Sequence, residues 1–245
     1  MKLNYTFSGF LYIKPEDDCI AIVDAMLATD YNEEFCIAQD FSPAFVKKLM
    51  EAGFLVMAAD FPQKNEKSEY ILLPKLHLER SALFFENLHI KKSIRRFLNS
   101  AVYGYMLYPN RDFERIVNRC IEKHGADWLV PPLVECIKKI RQKAGEGEEG
   151  LMLPAAEAFP SSFALYRNGK LVAGEFGVVC GNVYTSYSGY FDEDNAGTVQ
   201  IILTARYLQE HGFSFLDFGM PMNYKTDLGA VDISPAEFVR LFRGQ

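Results

Sequence analysis

The chain has 245 residues, of which 49% are hydrophobic and 24% charged, with a net charge of −6. These proportions exclude a disordered, collagen-like or coiled-coil chain and allow one large domain or a medium one with a small partner. No apolar run reaches the roughly 18 residues of a membrane helix, and the first residues lack the apolar core of a secretory signal. The five cysteines (Cys19, Cys36, Cys120, Cys136 and Cys180) are widely spaced with no C-x-x-C pair, which predicts neither a disulfide framework nor a zinc ribbon. A cytoplasmic chain without membrane or metal is expected. Aromatic residues reach 14% with a single tryptophan, a balance that favours β-structure and aromatic-lined pockets.

In chain order, Tyr5–Ile13 reads as extended. Pro15-Glu16-Asp17-Asp18 opens a helix with acids at its positive end and Ile20, Val23 and Leu27 on one face. Ser42-Pro43 starts a second helix, carrying Phe45, Leu49 and Met50 and closed by Gly53. Residues 53–61 are extended, 63–69 form a polar loop, and Tyr70–Leu73 resume a strand. A small α/β unit is predicted over residues 1–85 and a second unit over 86–245.

The second unit opens with a basic helix, Lys91–Leu98, and a tyrosine-rich strand, Val102–Tyr108. Asn110 is expected to cap a helix whose apolar face is Phe113, Ile116, Val117, Cys120 and Ile121. Leu133, Ile137 and Ile140 mark the next helix, and residues 144–150 an acidic loop. Phe163–Tyr166, Leu171–Val179 and Val183–Tyr190 read as strands joined at Asn168-Gly169 and Gly181-Asn182. A helix from Asn195 to His211, a buried strand over Phe213–Phe218, and the capping box Ser234-Pro235-Ala236-Glu237 complete the chain. Meander, helix, strand, helix is the order of an acetyltransferase-like (GNAT-like) α/β fold with a mixed, largely antiparallel sheet.

Charge is uneven along the chain. Between Leu88 and Lys123 the cations Lys91, Lys92, Arg95, Arg96, Arg111, Arg115, Arg119 and Lys123 face only Asp112, Glu114 and Glu122. Such a stretch is either a solvated helix face or a phosphate-binding one. No P-loop, dinucleotide fingerprint, zincin motif or nucleophile elbow is present. His77, His89, His124 and His211 are scattered, and His211 is placed for a dipole contact at a helix end.

Several stretches, in order over residues 35–242, resemble leucyl/phenylalanyl-tRNA–protein transferases. They are Asp40-Phe41-Ser42-Pro43 with Gly53, the basic segment Leu88 to Phe97, the helix Arg111 to Cys120, and Asp127-Trp128-Leu129. Leu171 to Val178, Asp194-Asn195-Ala196-Gly197, Phe215-Leu216-Asp217 and Leu228-Gly229-Ala230 follow. The resemblance implies an acetyltransferase-like fold used without coenzyme A, hence no cofactor. It implies transfer of Leu or Phe from aminoacyl-tRNA to the α-amine of a protein or peptide that begins with Arg or Lys, creating a degradation signal of the N-end-rule type. A monomer is expected. The sequence departs from the family's pattern at several points. Tyr187 replaces the glutamate associated with the basic acceptor, and Gly219 a glutamine implicated in transfer. Pro74 to Arg80 replaces a Trp-rich segment, Leu55-Val56-Met57 an aromatic one, and Ile137 a tyrosine.

The candidate catalytic residue is Asp217, whose carboxylate could hold the attacking amine or orient it through a neighbour. The candidate substrate-binding residues are Trp128, Tyr184, Tyr187, Ser188, Tyr190 and Gly219. Trp128 either stacks on the terminal adenosine of tRNA or packs in the core. Strand alternation would put Tyr184 and Tyr190 on one face and Tyr187 on the other. Lys91, Lys92, Arg95 and Arg96 are the candidate tRNA-binding residues, through phosphates. Two rival readings stand beside the transferase. One is an acyl-CoA N-acyltransferase, although the segment after Phe191 lacks a glycine-rich pyrophosphate loop. The other is a noncatalytic homologue that only binds tRNA or peptide.

Overall fold

The computed structural model describes residues 3–29, 31–62, 68–101, 104–143 and 150–245. Most of the polar loop and of the acidic loop expected above, and the start of the tyrosine-rich strand, lie outside those residues. The elements are α1 (Cys19–Ala28), α2 (Pro43–Glu51), β1 (Leu55–Pro62), β2 (Ser68–Lys75), β3 (Arg80–Phe84), α3 (Lys92–Ala101), β4 (Tyr105–Pro109), α4 (Phe113–His124), α5 (Pro131–Lys143), β5 (Ala155–Arg167), β6 (Lys170–Gly181), β7 (Val183–Phe191), α6 (Ala196–Glu210), β8 (Phe215–Asp217), α7 (Asn223–Asp227), β9 (Val231–Ile233) and α8 (Pro235–Phe242). No helix among the described residues is long and apolar enough to cross a membrane.

A seven-stranded sheet runs in the order β4-β5-β6-β7-β8-β3-β9, and β1 and β2 form a separate antiparallel pair. Every pairing in the large sheet is antiparallel except β7 with β8, which the α6 crossover makes parallel. This is the mixed, largely antiparallel sheet with flanking helices that the element order predicts. The hairpin turns form as read, with Asn168 at φ 49°, Gly169 at φ 78° and Gly181 at φ 59°. These are left-handed conformations that asparagine and glycine tolerate best.

One cluster of buried residues joins α1, α2, β1, α4 and α5 to one face of the sheet. Two further clusters lie under α6, on the other face. Strand β3 was not anticipated. It lies on the N-terminal side of the expected division at residue 85, yet it pairs with β8 and β9 inside the large sheet. Tyr5–Ile13 makes only isolated bridges rather than a continuous strand.

Asn110 does not cap α4. Asp112 precedes that helix, while the Asn110 side chain donates to Leu151 O and its oxygens accept from buried Arg141. The site is too far ahead of Phe113 for the capping bond the sequence suggests. The serine half of the last capping box does form, with Ser234 Oγ accepting from the Glu237 amide.

Candidate active site

Strand β7 pairs with β8 only over Val183–Thr185 and then continues to Phe191 paired with β6 alone. The two strands part at Thr185 and Asp217 and leave a fork between them. Perturbed titratable groups gather there, as they do at functional sites.

Asp217 sits at the apex, fully buried. Oδ1 accepts from Arg80 Nε at 3.0 Å and from the Gly219 amide at 2.9 Å. Oδ2 accepts from Arg80 Nη2 at 2.6 Å and from Thr185 Oγ1 at 2.8 Å. Arg80 is only 1% exposed. Its guanidinium also donates to Gly53 O at 3.0 Å and lies 3.6 Å over the Phe238 ring. Burial alone would raise the Asp217 carboxyl, but the Arg80 charge and these hydrogen bonds hold it below the ordinary carboxylate range. Its acceptor directions are therefore taken.

Gly219 follows with φ +70°, where a side chain would be strained. A Cβ there would lie 3.2 Å from His77 Nε2 and 3.3 Å from Leu55 Cδ1. Those two residues fill the space that a side chain would take. The Gly219 amide serves Asp217 and its carbonyl accepts from Ser81 N, so its backbone is already committed. Lys225 ties the following loop down by donating to Phe218 O and Met220 O. Burial lowers this lysine to about 8.

The tyrosines correct the alternation expected of β7. Ser186 pairs with Gly177 and Ser188 with Phe176, so Tyr187 is an extra residue in a bulge. Gly177 makes room for it, since a Cβ there would meet Thr185 O at 2.1 Å. The bulge flips the face of every later residue. Tyr187 and Tyr190 thus share the cluster on the α4 side, and Tyr184 lies under α6 against Phe163. Tyr187 Oη accepts from the Val56 amide at 3.2 Å, which links the fork to β1. Its ring packs near Trp128 and Phe176.

Trp128 is half-buried and stacks on Phe176 at an interplanar angle of 12°. Ser188 stands beside the Cys120 thiol. A cavity of about 10 Å³, room for one water, lies between Gly53, Arg80, Thr185 and Tyr187.

Behind the free edge of β7 lies buried Glu175. Burial raises its pKa, opposed by Ser186, Gln200 and Thr204. Ser186 Oγ donates to its Oε2 at 2.8 Å, while Oε1 has no partner among the described residues.

The basic helix forms as expected. Ile94, Phe97 and Leu98 turn inward, and Lys92, Arg95 and Arg96 are exposed with no ion-pair partner among the described residues. Lys91, also exposed, differs from those three in having an acidic partner, its Nζ lying 2.5 Å from Asp227 Oδ2.

Sequence reasoning missed Arg80 and Thr185, which bond Asp217, and Lys225, which holds the loop after it. The one local signal was an arginine opening the apolar run Ser81-Ala82-Leu83-Phe84-Phe85.

His77 is buried, and burial followed by the Arg80 and Lys75 charges lowers it from the ordinary 6.5 to about 3. Between those values the unfolded chain holds a proton that the folded chain refuses. Stability is therefore full above about pH 6.5 and falls on acidification by up to ~1.4 kcal/mol per pH unit. Asp217 adds to the loss below the ordinary carboxylate range. Denaturant unfolding at pH 7, 6 and 5 should show this decline in the wild type and a flatter profile in His77→Gln. Parallel profiles would assign the acid sensitivity to other groups.

A seven-stranded, largely antiparallel sheet with one parallel pair and helices on both faces defines a mixed α/β protein. The family described as leucyl/phenylalanyl-tRNA protein transferase matches residues 82–243, and the chain belongs to that family. It is 28% identical over 162 residues to the leucyl/phenylalanyl-tRNA–protein transferase of Pseudomonas entomophila, a match covering 65% of each chain. It is 26% identical over 211 residues to the protein of that name from Maridesulfovibrio salexigens, covering 83% of this chain and 77% of that one. A GCN5-related N-acetyltransferase from Kribbella flavida is a loose structural likeness, with a TM-score of 0.34 and 13% identity over 91% of this chain and 74% of that chain.

Proposed function

We propose that the chain transfers an amino acid of the Leu or Phe kind from aminoacyl-tRNA to the α-amine of a protein or peptide. The observation that carries this reading is an exposed cationic face, Lys92, Arg95 and Arg96, in the same family-matched unit as the fork. That face supplies phosphate contacts, which position a nucleic acid without reading its bases. The donor ester is already activated, so placing the amine against its carbonyl supplies much of the rate. The Arg80–Asp217 pair fixes Thr185 and the Gly219 turn at the fork apex, and so positions what enters.

The acyl-CoA alternative is disfavoured at the start of α6. A pyrophosphate there needs an open, positive helix end. Phe191 packs on that turn instead, and a Cβ at Gly197 would lie 2.9 Å from its ring. Asp192, Glu193 and Asp194 precede the helix and would repel phosphate.

For the acceptor, Tyr187 gives no carboxylate to a cationic N-terminal residue, and its hydroxyl already serves Val56. Asp192 is engaged by Arg119. A cation–π contact of at most about 2 kcal/mol would limit any preference for Arg or Lys to ~30-fold. Measuring kcat/KM for matched peptides beginning with Arg, Lys, Met, Phe and Asp tests this. A preference for Arg and Lys of a thousand-fold would refute it.

A further inference from the structure

Beyond Thr185, no strand among the described residues pairs with the outer edge of β7. Asp192 N donates to Val172 O, and along the same ladder Tyr190 stands opposite Gly174 and Ser188 opposite Phe176. Hydrogen-bonded positions alternate in an antiparallel pair, so Ser188 and Tyr190 spend their backbone groups on β6. Gly189 and Phe191 point theirs the other way, to the side that β8 has left. Both residues are exposed, so this edge is reached from solvent and needs no cavity. One side chain touches it: His124, at the end of α4, has its Nε2 2.7 Å from Gly189 O. A carbonyl oxygen has two lone pairs, so that group still accepts a second bond. The segment Ser186-Tyr187-Ser188-Gly189-Tyr190 holds no charge and no proline, the devices that usually blunt an open edge.

An unpaired strand edge recognises extended main chain. In aminoacyl transfer only the acceptor brings one, since the donor carries a single amino acid on tRNA. We propose that the acceptor's N-terminal segment adds to the open edge of β7 as a parallel strand, continuing the ladder that β8 leaves at Asp217; this rests on the aminoacyl-transfer reading. The direction follows from β7, which runs outward from the fork apex at Thr185 to Phe191. A peptide with its α-amine at the apex and its chain leaving the protein runs the same way. Gly189 N–H donates to a peptide carbonyl and Gly189 O accepts a peptide N–H, and Phe191 repeats both bonds two residues on. Main-chain pairing holds a peptide without reading its side chains, which suits a site whose Tyr187 hydroxyl already serves Val56.

Both tests use the wild-type protein. In the first, the best acceptor of the series beginning with Arg, Lys, Met, Phe and Asp is N-methylated on its backbone, one residue at a time after the first, over a stretch of ~5 residues, the length of a short strand. With leucyl-tRNA as donor, kcat/KM should fall ~10-fold or more at every second residue, where a bond to β7 is lost and the methyl group blocks the edge, and little at the residues between. In the second, amide hydrogen exchange is followed as the unmethylated peptide is added to saturation. The Gly189 and Phe191 amides should be protected, while those of Ser188 and Tyr190, already bonded to β6, stay as they were. A methylation scan without two-residue periodicity, or a saturating peptide that leaves Gly189 and Phe191 exchanging as before, would overturn the proposal; transfer to the unmethylated peptide would still uphold the transferase reading. If no charged tRNA gives transfer, that reading falls, and exchange with the peptide alone still decides whether the edge takes main chain.

Discussion

Asp217→Asn should lose ~3–5 kcal/mol of stability and ~100-fold or more in transfer, because it strands a buried guanidinium and slackens the fork apex. Arg80 and Asp217 are 1% and 0% exposed and bonded through both nitrogens of one guanidinium edge, Nε and Nη2. Breaking such a pair from either side leaves an uncompensated charge in the interior. Arg80→Met should therefore cost about as much as Asp217→Asn. Against a total stability of ~5–15 kcal/mol, either change is severe. The double variant Arg80→Met with Asp217→Leu separates structure from function. It removes both charges and should recover much of the stability, since apolar replacements of buried pairs are often neutral. It should not recover transfer, because Thr185 and the Gly219 amide lose their common acceptor. Denaturant titration and single-turnover transfer report the two quantities separately. Recovery of both together would make the pair a purely structural element.

Replacing Lys92, Arg95 and Arg96 by Ala should weaken tRNA binding on the order of 100-fold at low salt and flatten its salt dependence. Each lost phosphate contact should take ~0.7–0.9 from the slope of log K against log salt, so the three together remove about 2–3 units. Adding Lys91→Ala should change the slope less than any of the three, because Lys91 is held by Asp227. The helix should stay folded, since Ile94, Phe97 and Leu98 still face its core. Affinity and slope unchanged across a salt series would remove this face from the interface.

The outline of the fold was legible where local chemistry decides it. Asn168-Gly169 and Gly181-Asn182 fix the β5–β6–β7 meander through backbone conformations that those residues favour. The apolar stripe Ile94, Phe97 and Leu98 set the cationic residues of α3 outward. The site was less legible, because its contacts are remote in sequence. Arg80 and Asp217 are 137 residues apart, and neither stands in a pattern that names its partner. The strand opened by Arg80 was hidden because it is short and lies between strands that follow much later in the chain. The bulge at Tyr187 depends on the close approach of Gly177 to Thr185, a backbone event that side-chain alternation does not announce. His77 looked like one of four scattered histidines. Only the packing of Gly219 and Leu55 around it gives it a place.

The central claim is that the fork takes its acyl group from tRNA. Purified protein, a peptide with a free α-amine, and an equal supply of either labelled leucyl- or phenylalanyl-tRNA or labelled acetyl-CoA decide it. The account predicts label on the peptide amine from the charged tRNA, lost in Asp217→Asn, and none from acetyl-CoA. Label from acetyl-CoA, or charged tRNA bound without any label reaching the peptide, would contradict it.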